Sequence, residues 1–473
     1  MTVIVPSADH VAAVADLVRR FRELPAGVPF HLRKRTSNLF RFNGSERATL
    51  DVSGMSGVLG VDPVTRTAEV QGMTTYEDLV DATLAHGLMP LVVPQLKTIT
   101  LGGAVSGLGI ESTSFRHGLP HESVREIDVL TGAGEVVTAT PDGEHADLYR
   151  GFPNSYGTLG YALRLVIDLQ PVAPFVRLQH LRFPDAKACT DAIEELADPP
   201  LQESHVHATS LRKSGFPATG RSALDFLDGT VFDEGEQYLT SGTFVDELPT
   251  GVAASDYTGQ QVFYRAQQQR GVDHLTVRDY LWRWDTDWFW CSRAFGVQHP
   301  VVRRLWPRRY RRSDVYRRIV AVDRRHGFSD RLNRLRGRPM EELVVQDVEI
   351  PVRHLPAFLE AFHRDVGITP VWLCPLRLRS REPWTLYPMR PHELYVNVGF
   401  WSSVPQVPGE PDAHNRRIEA LVSELDGHKS LYSSVHYDEA AFWRHYNGPA
   451  YRALKERYDP HGRLPDLYSK VAG

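Results

Sequence analysis

Between residues 94 and 114 the chain reads Pro-Gln-Leu-Lys-Thr-Ile-Thr-Leu-Gly-Gly-Ala-Val-Ser-Gly-Leu-Gly-Ile-Glu-Ser-Thr-Ser. Gly102, Gly103, Gly107 and Gly109 stand among small apolar and hydroxyl residues. No Lys follows the second glycine pair, so this is not a P-loop, and the spacing is not GxGxxG. Glycine lets a backbone approach a ligand closely, and neighbouring free N–H groups form an anion cradle. Thr98, Thr100 and Ser106 add hydroxyl donors. A phosphate-bearing cofactor is the first expectation. A glycine-rich turn packed tightly against a helix is the alternative.

A chain of 473 residues is long for one domain, so two are expected. Hydrophobic residues make up 42%, enough for well-formed cores. The formal net charge of −4 implies no global attraction to nucleic acid. Cys189, Cys291 and Cys374 are widely spaced, neither a disulfide framework nor a zinc pattern, and fit a reducing compartment. Residues 1–10 lack a basic segment followed by an apolar run. No stretch approaches the roughly 18 apolar residues that span a bilayer. The expectation is a soluble, cytoplasmic protein, with peripheral membrane contact left open.

Residues 8–23 carry apolar positions at helical spacing. Residues 59–61 and 68–70 read as short strands around a turn at Asp62-Pro63. A helix is expected over 74–85, with Thr75 as cap and Gly87 as terminator. Residues 127–130 and 135–138 flank Thr131-Gly132-Ala133-Gly134 as a hairpin, and 161–169 reads as a strand. Further strands are expected at 343–350, 371–373 and 394–400, and an aromatic-rich helix at 439–446. Strands mixed with a few helices, without regular βαβ alternation, predict an α+β class. The Pro171–Pro174 segment marks a boundary.

The glycine run is preceded by His31-Leu-Arg-Lys-Arg-Thr-Ser-Asn38. It is followed by Ile127-Asp-Val-Leu-Thr-Gly-Ala-Gly-Glu-Val-Val137 and by Gly157-Thr158-Leu159-Gly160. That order resembles the FAD domain of vanillyl-alcohol-oxidase-type (PCMH-type) flavoproteins, over about residues 5–172. The resemblance implies two domains: an FAD-binding domain at 1–172, and a substrate (cap) domain at 173–430 built on a β-sheet flanked by helices. Residues 431–473 would return toward the FAD domain. It also implies the cofactor-binding residues. They are Arg35, Thr36, Ser37 and Asn38 in the first loop, and Pro94, Gln95, Thr98, Thr100, Leu101, Gly102, Gly103, Ser106, Gly107, Gly109, Ile110 and Ser112 in the glycine run. Gly157, Thr158 and Gly160 would lie against the cofactor. Many members of the wider family join flavin covalently to a histidine in the first loop. Arg35-Thr36-Ser37-Asn38 offers neither His nor Cys, so non-covalent FAD is expected.

Within that family the chain resembles the delta-24-sterol reductase group. The marks are Gly107-Leu-Gly-Ile-Glu-Ser-Thr-Ser114, Asn154-Ser-Tyr-Gly-Thr-Leu-Gly160, Phe289-Trp290, Gln346-Asp347 and Trp372-Leu-Cys-Pro375. It resembles more closely still the bacterial flavin reductases that convert 10-methylene to 10-methyl fatty acyl chains in tuberculostearate formation. That likeness includes Lys34-Arg-Thr-Ser-Asn-Leu-Phe-Arg41 and Val93-Pro-Gln-Leu-Lys-Thr-Ile-Thr-Leu-Gly-Gly103. NADPH as transient electron donor and a lipid methyltransferase partner are implied by this resemblance. The chain shows no second dinucleotide fingerprint.

Reducing an isolated alkene needs a hydride and a proton, so an acid must stand near the flavin in a dry pocket. Glu111 immediately follows the cofactor-binding glycines and is the first candidate; capping a turn or pairing with Arg116 is the alternative. Alternation puts Val345, Asp347 and Glu349 on one strand face, either toward a flavin or toward solvent. Tyr395 and Asn397 could line the same cavity, or an ordinary sheet face. Hence Glu111, Asp347 and Tyr395 are the catalytic candidates. His117, His121 and His392 read as structural. Trp282, Trp284, Trp288, Phe289 and Trp290 form either a core cluster or the apolar wall of an acyl-chain tunnel.

Arg303–Arg338 holds fourteen arginines against Asp314, Asp323 and Asp330, with aromatic and apolar residues interleaved. A solvated basic helix face is one reading, an anionic membrane surface another. Nucleic acid is the rival and is not expected as a partner. Taken together, the chain reads as an FAD-dependent reductase of an unactivated C=C bond, with a 10-methylene fatty acyl chain, free or in a phospholipid, as substrate. A sterol side-chain alkene reductase, an FAD-dependent sugar or alcohol oxidase, and a non-catalytic flavin- or lipid-binding protein are the alternatives.

Overall fold

A computed structural model describes residues 8–25, 30–34, 48–197, 224–326 and 339–472. The helix Ala8–Glu23 buries Leu17 and Phe21 against a small parallel pair, β1 (Phe30–Arg33) and β2 (Ala48–Asp51). Next come β3 (Val58–Asp62) and β4 (Thr67–Gln71), a hairpin whose turn is fixed by Asp62 Oδ1. That oxygen accepts the N–H groups of Val64 at 2.8 Å and Thr65 at 3.2 Å. The helix Tyr76–Leu84 starts at the expected cap, Thr75, whose hydroxyl accepts the Asp78 N–H at 3.2 Å. Gly87, at φ 68°, makes the turn into β5 (Leu88–Pro90).

The strands β6 (Val124–Leu130), β7 (Val136–Ala139) and β8 (Tyr161–Pro171) complete the first lobe. Its antiparallel sheet runs β3-β4-β8-β6-β7, with β5 also paired to β8. The hairpin around Gly132–Gly134 forms as the sequence predicts.

The second lobe begins immediately after, with β9 (Phe175–Phe183). Then follow β10 (Phe226–Asp233), β11 (Glu236–Val245), β12 (Val272–Thr276), β13 (Glu341–Pro351), β14 (Val371–Leu376), β15 (Tyr395–Pro405) and β16 (His428–Lys429). They form one antiparallel sheet in the order β12-β9-β11-β10-β14-β15-β13-β16. The expected strands at 343–350, 371–373 and 394–400 are all present. Strands β9 to β12, and the helices Ala186–Ala197, Leu355–Asp365 and Ala413–Glu424, are additions to the sequence reading.

Period-two alternation divides the two faces of this sheet. Val344, Val348, Ile350, Leu373, Val398 and Phe400 pack under the three helices. On the opposite face, Trp372, Cys374, Tyr395 and Trp401 share one hydrophobic cluster with Val70, Leu101 and Leu165 of the first lobe. Asp347, Glu349 and Asn397 occupy that same inward face, because each alternates with residues of the other set. The lobes are therefore joined by a continuous apolar layer with polar groups set into it.

The chain then returns to the first lobe. The helix Glu439–His445 lies where the aromatic run predicts it. The helix Gly448–Tyr458 packs on Ala146–Gly151 so closely that a Cβ at Gly151 would stand 2.3 Å from Leu454 Cδ1. Ala133 N–H donates to Tyr458 O at 3.1 Å, and Lys455 Nζ to Thr158 O at 3.1 Å.

The arginine-rich segment is not the uniform basic face expected of it. Arg303 and Arg311 are buried. The Arg303 guanidinium binds Asp287 at 2.7 Å and the carbonyls of Gly259, Tyr257 and Gln261. Arg311 donates to the carbonyls of Thr258, Gly259, Arg303 and Trp306. Arg312 bridges Glu77 of the first lobe at 2.7 Å and Asp314 at 2.9 Å. These cations are used as internal crosslinks, which composition does not reveal. Arg331, Arg334, Arg336 and Arg338 lie outside the described residues.

Candidate active site

The glycine run forms a short helix, Leu101–Ser106, capped by Thr100, whose hydroxyl accepts the Gly103 N–H at 3.2 Å. Its two leading glycines do different things. Gly102 is buried, its N–H donates to Gly72 O at 2.8 Å, and a Cβ there would stand 2.7 Å from that oxygen. It docks the helix on the sheet. Gly103 is exposed, and the nearest atom to an added Cβ is the Thr100 hydroxyl at 2.8 Å. Thr98 and Ser106 are half-buried, so hydroxyls and an unhindered backbone share an accessible side. Leu101 and Pro94 are buried beneath. Gln95 Nε2 donates to Ile110 O at 3.2 Å, which ties the two ends of the run together. Pro94 and Pro120 close on Gly109, leaving 3.0 and 2.9 Å to an added Cβ.

The loop Asn154–Gly160 lies against Gly107. Tyr156 N–H donates to Ser106 O at 2.8 Å and Asn154 N–H to Gly107 O at 3.3 Å. Asn154 and Tyr156 adopt φ of 63° and 50°, a costly conformation for a tyrosine. Gly157, at φ 76°, follows them, and the Thr158 hydroxyl donates to Ser155 O at 2.7 Å. At Gly160 a Cβ would stand 2.7 Å from Leu130 O, so glycine lets β8 start against β6. Arg35, Thr36, Ser37 and Asn38 lie outside the described residues. Lys34, at the start of that loop, is close to Arg317, and burial together with that like charge pushes its amine down.

Glu111 is buried, and its partner is Arg283 rather than Arg116, which pairs with Asp225. Arg283 Nη2 reaches Glu111 Oε1 at 2.8 Å and Asp228 Oδ2 at 2.7 Å. Asp228 Oδ2 also accepts from Trp284 Nε1 at 3.1 Å and Trp372 Nε1 at 3.3 Å. Ser112 Oγ donates to Glu111 Oε1 at 2.7 Å and meets Tyr280 OH at 2.8 Å. One guanidinium thus faces two buried carboxyls. Burial raises Glu111 above the usual carboxylate range, the Arg283 charge opposes that, and the Asp228 charge adds to it. Asp228 and Arg283 have no sequence motif, and the trio spans both lobes.

The second polar group lies on the inward face of β13. Burial pushes Asp347 up to about 7, although its side chain keeps a partly open edge. Burial pushes Glu349 up to about 8, with the Asp347 charge adding to the shift. Asn397 Nδ2 donates to Asp347 Oδ1 at 3.3 Å. Tyr432 also hydrogen-bonds Asp347, and Trp401 Nε1 donates to Tyr432 OH at 3.0 Å. Tyr387 OH donates to Glu349 Oε2, and Ser430 Oγ to Glu349 Oε1 at 3.0 Å. Burial holds the phenols of Tyr387 and Tyr432 well above their usual range, and Tyr156 of the first lobe is near enough to contribute to both. The Tyr395 hydroxyl is engaged elsewhere, with Glu393 at 3.1 Å and the Arg390 N–H at 3.2 Å. Asn397, not Tyr395, is the β15 side chain brought to Asp347. Tyr387, Ser430 and Tyr432 escaped the sequence reading; Glu349 was legible through its alternation with Asp347.

All five residues of the aromatic run are buried. Phe289 packs 4.2 Å from Trp401 and 4.9 Å from Trp284, centroid to centroid. Trp288 and Phe289 hold φ of 47° and 59°. That strained pair sets the Phe289 ring between Trp284 and Trp401, next to the Tyr432–Asp347 contact.

Residues 2–140 match the family model described as FAD binding domain. With the two-lobe α+β architecture, this defines an FAD-dependent oxidoreductase with a PCMH-type FAD-binding domain. Beyond that domain, the chain is similar to Delta(24)-sterol reductases. It is 25% identical to that of Macaca fascicularis over 428 residues, covering 88% of this chain and 76% of the relative. The Arabidopsis thaliana protein is also 25% identical, over 458 residues, covering 89% and 76%. Cytokinin dehydrogenase 6 of Oryza sativa subsp. japonica is 34% identical over 146 residues, 31% of this chain and 27% of the relative.

The residues present fit FAD. A flavin dinucleotide brings an anionic pyrophosphate, and Lys34 and Arg317 bring two partly buried cations together. Gly103, Thr98 and Ser106 leave an uncluttered backbone and hydroxyl surface. Among the described residues, no helix is long and apolar enough to cross a membrane.

Proposed function

We propose that the chain is an FAD-dependent reductase of an unactivated C=C bond in a lipid. The substrate is a 10-methylene fatty acyl chain, free or in a phospholipid, and NADPH is the reductant. The carrying observation is the pair of neighbouring carboxyls, Asp347 and Glu349, set among Asn397, Tyr432 and Tyr387 on the largely apolar inward face, where burial pushes both up. The similarity across both lobes to proteins named Delta(24)-sterol reductase supports alkene reduction. The runs at 34–41 and 93–103 support the acyl-chain substrate over the sterol.

Alkene reduction breaks one π bond and forms two C–H bonds, one from hydride and one from a proton. FAD, when bound, would supply the hydride, with the nicotinamide as its source of electrons. Asp347 holds the proton at its partly open carboxyl. An acid near 7 is both protonated and willing to donate at neutral pH. Glu349 stands behind it with a second proton, and the Tyr432 and Tyr387 hydroxyls keep both carboxyls oriented. Glu111 is less suited, because a guanidinium and a serine hydroxyl already occupy its Oε1. The rings of Phe289, Trp372 and Trp401 exclude water, so positive charge developing at a branched carbon would not be trapped. Lys34, Arg317, Thr98, Ser106 and the backbone at Gly103 would hold the cofactor.

Anaerobic mixing with NADPH tests this reading. Flavin should bleach, and colour should return on adding a 10-methylene phospholipid under argon. Recovery only with a side-chain-unsaturated sterol would move the substrate to the sterol class. Bleaching by an alcohol or sugar, with no response to NADPH, would overturn the reductase.

A further inference from the structure

The residues around Arg303 separate into two sets with opposite orientations. Arg303 and Arg311 point inward and bind Asp287 and the backbone carbonyls of Tyr257, Thr258, Gly259, Gln261, Arg303 and Trp306. They fasten the short helix Pro300–Leu305 and the turn after it to the body of the second lobe. Between them Trp306 is half-buried against Tyr316, and the other side chains face out. Val301 is 61% exposed, Leu305 77% and Tyr310 43%. Val301 and Leu305 are four residues apart and so share a helix face. Arg304, Arg308 and Arg309 are exposed beside them. Arg309 lies over the Tyr310 ring at 4.8 Å.

An apolar side chain in water at such a position contributes nothing to the fold. No Asp or Glu occurs anywhere from Trp288 to Ser313. Among the described residues, Arg308 alone of these three makes a carboxylate contact, to exposed Asp256 at 2.9 Å. Apolar groups ringed by cations fit a surface that is anionic outside and hydrocarbon just beneath. We propose that this face docks the protein on an anionic lipid bilayer, with Val301, Leu305 and Tyr310 entering the headgroup layer and Arg304, Arg308 and Arg309 binding lipid phosphates. The inward arginines make the platform rigid, so docking costs little ordering of the chain. The docking face is separate from Asp347 and its neighbours, and its test does not depend on the reaction.

The full-length holoprotein is sedimented with vesicles of phosphatidylcholine alone and with vesicles containing one quarter phosphatidylglycerol. Wild type should prefer the anionic vesicles and be released as salt rises. Arg304→Gln, Arg308→Gln and Arg309→Gln together should weaken anionic-vesicle binding on the order of 100-fold, at about 1 kcal/mol per arginine. Val301→Gln with Leu305→Gln should weaken binding even at low salt. Both variants should keep wild-type thermal midpoints and flavin content, since every changed residue is exposed. Equal binding to the two vesicle types, or unchanged binding by both variants, would overturn the proposal. So would a concentration-dependent dimer abolished by Leu305→Gln, which would assign the face to a second copy, or vesicle-independent retention on duplex DNA lost in the arginine variant.

Discussion

Asp347 and Glu349 project from one face of β13, two positions apart, and each meets a tyrosine hydroxyl, Tyr432 at the first and Tyr387 at the second. Burial pushes Asp347 up to about 7 and Glu349 up to about 8. Replacing Asp347 with Asn keeps the shape and its hydrogen-bonding groups but removes the acidic proton. The variant should bind FAD and be bleached by NADPH at the wild-type rate, while alkene turnover falls by roughly 10²- to 10⁴-fold. Glu111→Gln should lower turnover far less. Full turnover in Asp347→Asn would move the proton source elsewhere.

The same carboxyls make stability depend on pH in a defined direction. A buried acid whose folded pKa exceeds its unfolded value keeps a proton that the unfolded chain has lost. Stability therefore declines as pH rises from about 4, the unfolded value, through about 8, the folded value of Glu349. The slope is about 1.4 kcal/mol per pH unit for each group that stays protonated. Glu349→Gln removes one such group, so its urea midpoint should fall less steeply between pH 5 and 8 than that of wild type. Parallel curves would show that Glu349 is ionised in the folded protein.

Arg283 neutralises two buried carboxyls drawn from different lobes. Arg283→Met should cost about 3–5 kcal/mol in chemical denaturation, because Glu111 and Asp228 would be left without a counter-charge. Adding Glu111→Gln and Asp228→Asn to that variant should restore much of the loss. If the single and triple variants are equally unstable, lost packing of the guanidinium, not charge, is responsible.

Gly103 and Thr100 separate cofactor contact from helix capping. Thr100→Ala removes one cap, costing about 1 kcal/mol, and should leave the protein yellow. Gly103→Val puts branched carbons on the accessible side of the helix and should lose flavin at a similar thermal midpoint. Acid precipitation of wild type should release all its flavin, in keeping with the absence of His and Cys from Arg35–Asn38. Flavin that stays with the precipitate would refute non-covalent binding.

Local chemistry was the legible part of this fold. Thr75 with Gly87, and the glycines at 132 and 134, delimit their helix and hairpin because capping and turn geometry are decided within a few residues. Alternation in 344–350 put Asp347 and Glu349 on one face for the same reason. Partnership across the chain was not legible. Glu111 meets Arg283 across 172 positions, and Glu349 meets Tyr387 across 38. Nothing in 303–312 marks Arg303 and Arg311 as buried while Arg304 and Arg309 are exposed, since carbonyl acceptors leave no trace in composition. Strand β9, with Gln179, His180 and Arg182 along it, carries too many polar side chains for hydrophobic periodicity to stand out.

The return of the chain to its starting lobe has a consequence for how the molecule comes apart. The second lobe leaves the first at Pro171 and is tied back to it by the Gly448–Tyr458 helix, so it is an insertion rather than an appendage. Two covalent crossings and a shared apolar layer make swinging the lobes apart expensive. Heat or denaturant should melt both lobes in one transition, and proteolysis should not free either as a folded piece. Cofactor and substrate would then enter by local opening along the seam rather than by opening of the whole cap.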